Sequence, residues 1–92
     1  MTSETNAVRL KRLRMRSWRR GTREMDLILG PFADANLARM TPGELDLYDQ
    51  MLSENDQDLY QWVTGQANCP DNLKASIARI AEFSAERSKF GQ

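Results

Sequence analysis

Apolar residues recur at helical spacing along most of the chain, and few runs alternate as a half-buried strand would. Val8, Leu10, Leu13 and Trp18, with Met15 less regular, predict an amphipathic helix over about residues 7–19 whose other faces are covered by arginine. Gly21 interrupts that pattern, and a glycine permits a tight or left-handed turn that a helix interior would not favour. Thr22 can cap a second helix carrying Met25, Leu27, Ile28, Leu29, Phe32, Ala33 and Leu37, a largely buried element. Pro31 removes one backbone donor there, so a kink is expected near Gly30-Pro31. Thr41-Pro42-Gly43-Glu44 reads as a capping box with proline in the first helical position, followed by Leu45, Leu47, Tyr48, Met51 and Leu52. Asn55 or Asp56 restarts a short helix with Leu59, Tyr60, Trp62 and Val63, halted near Gly65. A last helix covers about residues 71–89 with Leu73, Ile77, Ile80 and Phe83 on one face.

The expected fold is therefore all-α: a compact single-domain bundle of four to five short helices over residues 1–92, with residues 1–6 and 90–92 as frayed tails. Ninety-two residues suffice for one core but not two, and leave little room for a deep catalytic pocket. The chain has no histidine and one cysteine, Cys69, which excludes Ser-His and Cys-His nucleophiles, ordinary zinc sites and an internal disulfide. No metal site is expected, and the five single glycines form no phosphate loop. No apolar run approaches the length of a membrane span. Glu4 and Glu24 interrupt the arginine-rich start in a way that presequences avoid, so the cytoplasm is the expected compartment.

A formal net charge of zero conceals a strong division. Residues 1–24 hold eight basic side chains against Glu4 and Glu24, while no basic residue lies between Arg39 and Lys74. Such a dipole can orient a partner, and it also lets the two halves of the chain attract each other. Three readings of the arginine cluster stand side by side: a solvated face beside an acidic bundle, a nucleic-acid patch, or a protein-docking surface. The acidic remainder disfavours nucleic acid. Arginine forks suit carboxylates and aromatic faces of a protein partner. At the corner, Arg20 and Glu24 stand four apart and Arg23 and Asp26 three apart, spacings that allow local ion pairs if the backbone stays helical.

The stretch from Arg16 to Asp26 resembles the signature of the SdhE family of succinate dehydrogenase assembly factors, whose hallmark R-G-x-x-E stands here as Arg20, Gly21 and Glu24. Pro31-Phe32 and Asp58-Leu59-Tyr60-Gln61-Trp62 follow in the family's order, and the resemblance runs over about residues 9–87. It implies a non-enzymatic helper, monomeric when free. The helper would bind the flavoprotein subunit of succinate dehydrogenase, or the similar fumarate reductase subunit, and promote covalent attachment of FAD to a histidine of that subunit. FAD would belong to the client, with no cofactor held tightly by this chain. The resemblance places partner contacts at Arg20, Gly21 and Glu24, flanked by Arg23, Asp26, Arg16 and Arg19. In that role Arg20 would bind client carboxylates or carbonyls, Gly21 would allow close backbone approach, and Glu24 would fix a client side chain or the corner itself. The N-terminal segment is richer in arginine than the family pattern, and Trp18 stands just ahead of the motif. The other expectation is a small basic-patch regulator that binds nucleic acid or another protein.

Overall fold

The computed structural model describes residues 5–90. Within them run five α-helices and no strand: α1 (Asn6–Trp18), α2 (Arg23–Asn36), α3 (Pro42–Met51), α4 (Asp56–Thr64) and α5 (Lys74–Phe90). Single 3₁₀ turns, Leu37–Arg39 and Asp71–Leu73, lead out of α2 and into α5. Helix α1 begins at Asn6 behind a Thr5 cap and α5 reaches Phe90, so helix extends into both expected tails; residues 1–4 and 91–92 lie outside the described residues.

Local chemistry sets each boundary. The Thr22 hydroxyl accepts from the Met25 N–H and starts α2. Thr41 and Glu44 form the predicted capping box: Thr41 N–H donates to Glu44 Oε1 at 2.9 Å and Glu44 N–H to Thr41 Oγ1 at 3.2 Å. The backbone bond from Thr41, helped by Arg79 of α5 at 3.0 Å, holds the Glu44 carboxyl below its usual range. Asn55 caps α4, and Gly65 ends it in the left-handed region at φ 82°, where a Cβ would be strained. Helix α2 runs through Pro31 to Asn36 without a break.

The core gathers one face of each helix: Leu13 from α1, Met25, Leu29 and Phe32 from α2, Leu45, Tyr48 and Met51 from α3, Leu59 from α4, and Ile77 and Ile80 from α5. Phe32 lies at its centre, stacked on Tyr48 and edge-on to Phe83, each at 5.7 Å between ring centres.

Three apolar residues expected inside are at the surface, and so is Trp18, whose place the sequence left open. Val8 (54%) and Trp18 (39%) are exposed because α1 turns Leu10, Leu13 and Ser17 to the core, a stripe offset from the apolar one in the sequence. Ser17 takes a core position because its hydroxyl is satisfied twice, by the Leu13 carbonyl at 2.8 Å and by the Tyr48 hydroxyl at 2.6 Å. Leu27 (53%) projects outward between the buried Met25 and Leu29, and Tyr60 (38%) stands on the outer face of α4 while Trp62 and Val63 pack against the core.

Trp18 covers α2. A Cβ at Gly30 would come within 2.4–2.6 Å of its indole ring, so the glycine is what lets the ring lie on the helix backbone. The indole N–H donates to the Asp34 carboxylate at 3.3 Å, and Arg14 pairs with the same group at 3.3 Å.

Two measurements test this packing. Gly30→Ala should displace the indole and cost about 1–2 kcal/mol after the gain in helix propensity. On a Trp62→Phe background it should shift Trp18 fluorescence to the red; unchanged emission would contradict the contact. Burial pushes the Tyr48 hydroxyl up to about 12, against an ordinary 10.0. A raised folded-state value favours the fold fully below pH 10 and loses that contribution as pH rises toward 12. Alkaline unfolding should therefore coincide with tyrosinate absorbance, and Tyr48→Phe should flatten that limb of the stability curve.

Candidate functional site

The corner between α1 and α2 is built by carboxylates, not by an unusual backbone. Gly21 does not occupy the left-handed region; among the described residues only Gly65 does. Asp26, in the first turn of α2, accepts the Arg20 N–H at 2.7 Å and draws the corner shut. Asp56, in the first turn of α4, reaches across from the other side. Its Oδ1 accepts from Arg20 Nε at 2.7 Å and its Oδ2 accepts from the Thr22 N–H at 3.0 Å, so one carboxylate straddles Gly21. A Cβ on Gly21 would sit 3.1 Å from that Oδ2. A side chain there would be tight, and the carboxylate would have to give by a few tenths of an ångström.

Arg20 accordingly faces inward. Its remaining guanidinium nitrogens donate to the Leu52 carbonyl at 2.6 Å and the Glu54 carbonyl at 2.7 Å, the backbone that turns α3 into α4. Its side chain is 11% exposed and that of Asp56 13%, so the pair is largely desolvated and fully hydrogen-bonded. A carboxylate and carbonyls were the expected ligands of Arg20, but this chain supplies them itself. Neither Arg20–Glu24 nor Arg23–Asp26 pairs: Arg20 is committed to Asp56, and Asp26 is turned to the Arg20 backbone.

The other arginines divide by position. Arg12 and Arg16 converge on Asp49 of α3, at 2.9 and 2.5 Å, and hold its carboxyl below the usual range, the Arg12 hydrogen bond contributing most. Arg9 pairs with Asp46. Most of the basic face of α1 is thus neutralised by the acidic face of α3. Arg16, expected as a flanking contact, belongs to this internal set. Arg19, Arg23 and Glu24 are exposed and have no ion pair or side-chain hydrogen bond among the described residues.

Trp18 precedes Arg19 in the chain, Leu27 stands one helical turn beyond Arg23 and Glu24, and Tyr60 lines a cleft with Glu24; all three are exposed. Beside Glu24 opens a cleft of about 300 Å³ between the start of α2 and α4, lined also by Gln57, Tyr60 and Gln61. Asp56, Leu27 and Tyr60 were not among the predicted site residues. Asp56 lies 36 residues from Arg20, and no local spacing signals that pairing.

No group of three or more potential metal ligands occurs among the described residues. No helix among them is long and apolar enough to cross a membrane.

Asp56→Asn keeps the size of the side chain but leaves a nearly buried guanidinium without its counter-charge. It should lower stability by roughly 2–4 kcal/mol, measured by urea unfolding. Arg20→Lys, which cannot reach a carboxylate and two carbonyls together, should lose about half as much. A loss below about 0.5 kcal/mol for Asp56→Asn would mean the pair behaves as an ordinary surface bridge.

Residues 11–84 match the family described as Sdh5, flavinator of succinate dehydrogenase. The chain is 38% identical over 93 residues to the succinate dehydrogenase assembly factor 2, mitochondrial, of Kluyveromyces lactis, covering 96% of this chain and 57% of that protein. The protein of the same name from Dictyostelium discoideum is 29% identical over 81 residues, covering 88% and 57%. That from Meyerozyma guilliermondii is 43% identical over 78 residues, covering 82% and 58%. The chain thus spans a little over half the length of these relatives. With the family matched over most of its length and the R-G-x-x-E corner in place, this chain belongs to the Sdh5 family of succinate dehydrogenase assembly factors.

Proposed function

We propose that the chain binds the flavoprotein subunit of succinate dehydrogenase, and the similar subunit of fumarate reductase, and promotes covalent attachment of FAD to a histidine of that subunit. The observation that carries this reading is the division of the motif. Arg20 and Gly21 are spent on fixing the corner, while Arg19, Arg23 and Glu24 point outward without partners among the described residues, framed by Trp18, Leu27 and Tyr60. Unpaired charge beside exposed aromatic and aliphatic side chains is the anatomy of a docking surface.

The bond between flavin and histidine forms by chemistry of the flavin and the client, so the helper supplies no reacting group and FAD stays with the client. Its contribution is differential binding: the corner favours the client conformer in which histidine and flavin meet. Arg19, Arg23 and Glu24 make the contacts; Arg20, Gly21 and Asp26 hold the surface in shape. The pairing of Arg9, Arg12, Arg14 and Arg16 with Asp34, Asp46 and Asp49 supports the protein-docking reading over the nucleic-acid one. The relatives are mitochondrial by name, and the cytoplasmic assignment expected for this chain stays part of the proposal.

Co-expression of the client flavoprotein subunit with Glu24→Ala should reduce covalent flavin, read by in-gel fluorescence, at least about tenfold if one charge-assisted contact is lost, with the melting temperature of the helper unchanged. Normal flavinylation with a folded Glu24→Ala protein would overturn the role of this corner. Gly21→Arg is a less specific probe, because its Cβ presses on the Asp56 carboxylate and loosens the fold as well as altering the surface.

A further inference from the structure

The cleft between the start of α2 and the outer face of α4 has the chemistry of a receptor for one cationic side chain. Its volume of about 300 Å³ stands at the lower end of small-molecule sites, suited to a side chain more than to a cofactor. Two carboxylates border it, Glu24 and Asp56. Asp56 is already neutralised by Arg20 and bound to the Thr22 N–H, which leaves Glu24 as the charge on offer. No lysine or arginine lines the cleft, and Gln57, Gln61 and Gln66 stand along it as neutral polar side chains. Tyr60, 38% exposed, presents an aromatic ring on the same wall.

We propose that this cleft receives an arginine side chain of the docking partner, with the Glu24 carboxylate as counter-ion and the Tyr60 ring as stacking face. The inference rests on the docking reading above and names the group that the surface recognises. An anion would meet Glu24 and find no cation in the cleft wall. A lysine would use the carboxylate alone, whereas a guanidinium has a planar fork that pairs with a carboxylate through two bonds and a flat face for the ring. Arg23 does not compete, because adjacent residues on a helix do not face each other. The positive ends of α2 and α4 both border the cleft, and the acids of their first turns, Glu24 with Asp26 and Asp56 with Asp58, offset them.

The test is an NMR titration of the full chain, labelled with nitrogen-15, using N-acetyl-arginine methylamide. Its uncharged isostere N-acetyl-citrulline methylamide and the lysine analogue serve as comparators. Shift changes should cluster at Glu24, Gln57, Tyr60 and Gln61 with the arginine compound, be several-fold weaker with lysine, and vanish with citrulline or in Glu24→Gln. Absence of changes there, or an equal response to lysine or citrulline, overturns the assignment. In parallel, affinity for the purified flavoprotein subunit should fall about tenfold in Glu24→Gln, the equivalent of one charge-assisted hydrogen bond. It should fall in Tyr60→Leu and be retained in Tyr60→Phe. Undiminished affinity in both Glu24→Gln and Tyr60→Leu sinks the cleft while leaving the docking reading standing. An unaltered chain that ignores the flavoprotein yet shows the arginine shifts sinks the docking reading and keeps the cleft.

Discussion

The paired side chains of Arg20 and Asp56 hold together the part of the molecule where the family motif lies. Each is nearly buried, so either alone would carry a heavy desolvation cost, and the pair is tolerable because each guanidinium nitrogen has an acceptor. Arg20 reaches Asp56 and the carbonyls of Leu52 and Glu54, while Asp56 also takes the Thr22 N–H. These bonds join the α1–α2 corner to the α3–α4 turn, two irregular segments with few apolar residues of their own. Gly21 suits that arrangement, since the carboxylate passes 3.1 Å from where a Cβ would stand.

Neutralisation of the basic helix has a further consequence. Arg9, Arg12 and Arg16 lie against Asp46 and Asp49, which turns a sequence-level dipole into an internal seam between α1 and α3. These bridges are partly exposed, and each contributes modestly to stability. Their larger effect is on the outer field. With the α1 arginines screened by α3, the unpaired charges near the corner dominate what an approaching partner feels there within a Debye length.

Helix positions and caps were legible in the sequence because local rules decide them. The Thr41–Glu44 box, the Thr22 and Asn55 caps and the stop at Gly65 all follow from side chains within four residues of the backbone groups they satisfy. Facing was less legible on α1, where apolar residues outnumber core positions and a serine occupies one of them. Nothing local marks Ser17 as buried; its partner Tyr48 is 31 residues away. The same limit hid Asp56. The motif located the corner, but which of its charges face outward depends on a carboxylate from another helix, and only the fold brings the two together. Trp18 was ambiguous for a related reason: its place depends on Gly30, a residue whose usefulness is the absence of a side chain.

A small domain that must present a fixed surface faces a conflict, because its core supplies little surplus stability and loops at its surface are costly to order on binding. Here the corner is ordered before any partner arrives, by one buried ion pair, the Asp26 bond to the Arg20 backbone and the Thr22 cap. The entropy of fixing Arg19, Arg23 and Glu24 relative to one another is therefore borne largely in folding, not in docking. A motif arginine can therefore be inaccessible and still shape the surface around it. Replacing it would disturb the surface through the backbone it anchors, whereas replacing Glu24 would alter the charge that surface offers and, in the first turn of α2, a helix-end interaction of at most about 1 kcal/mol. The same motif thus sets an internally bonded arginine beside an exposed glutamate, separated by a single turn of chain.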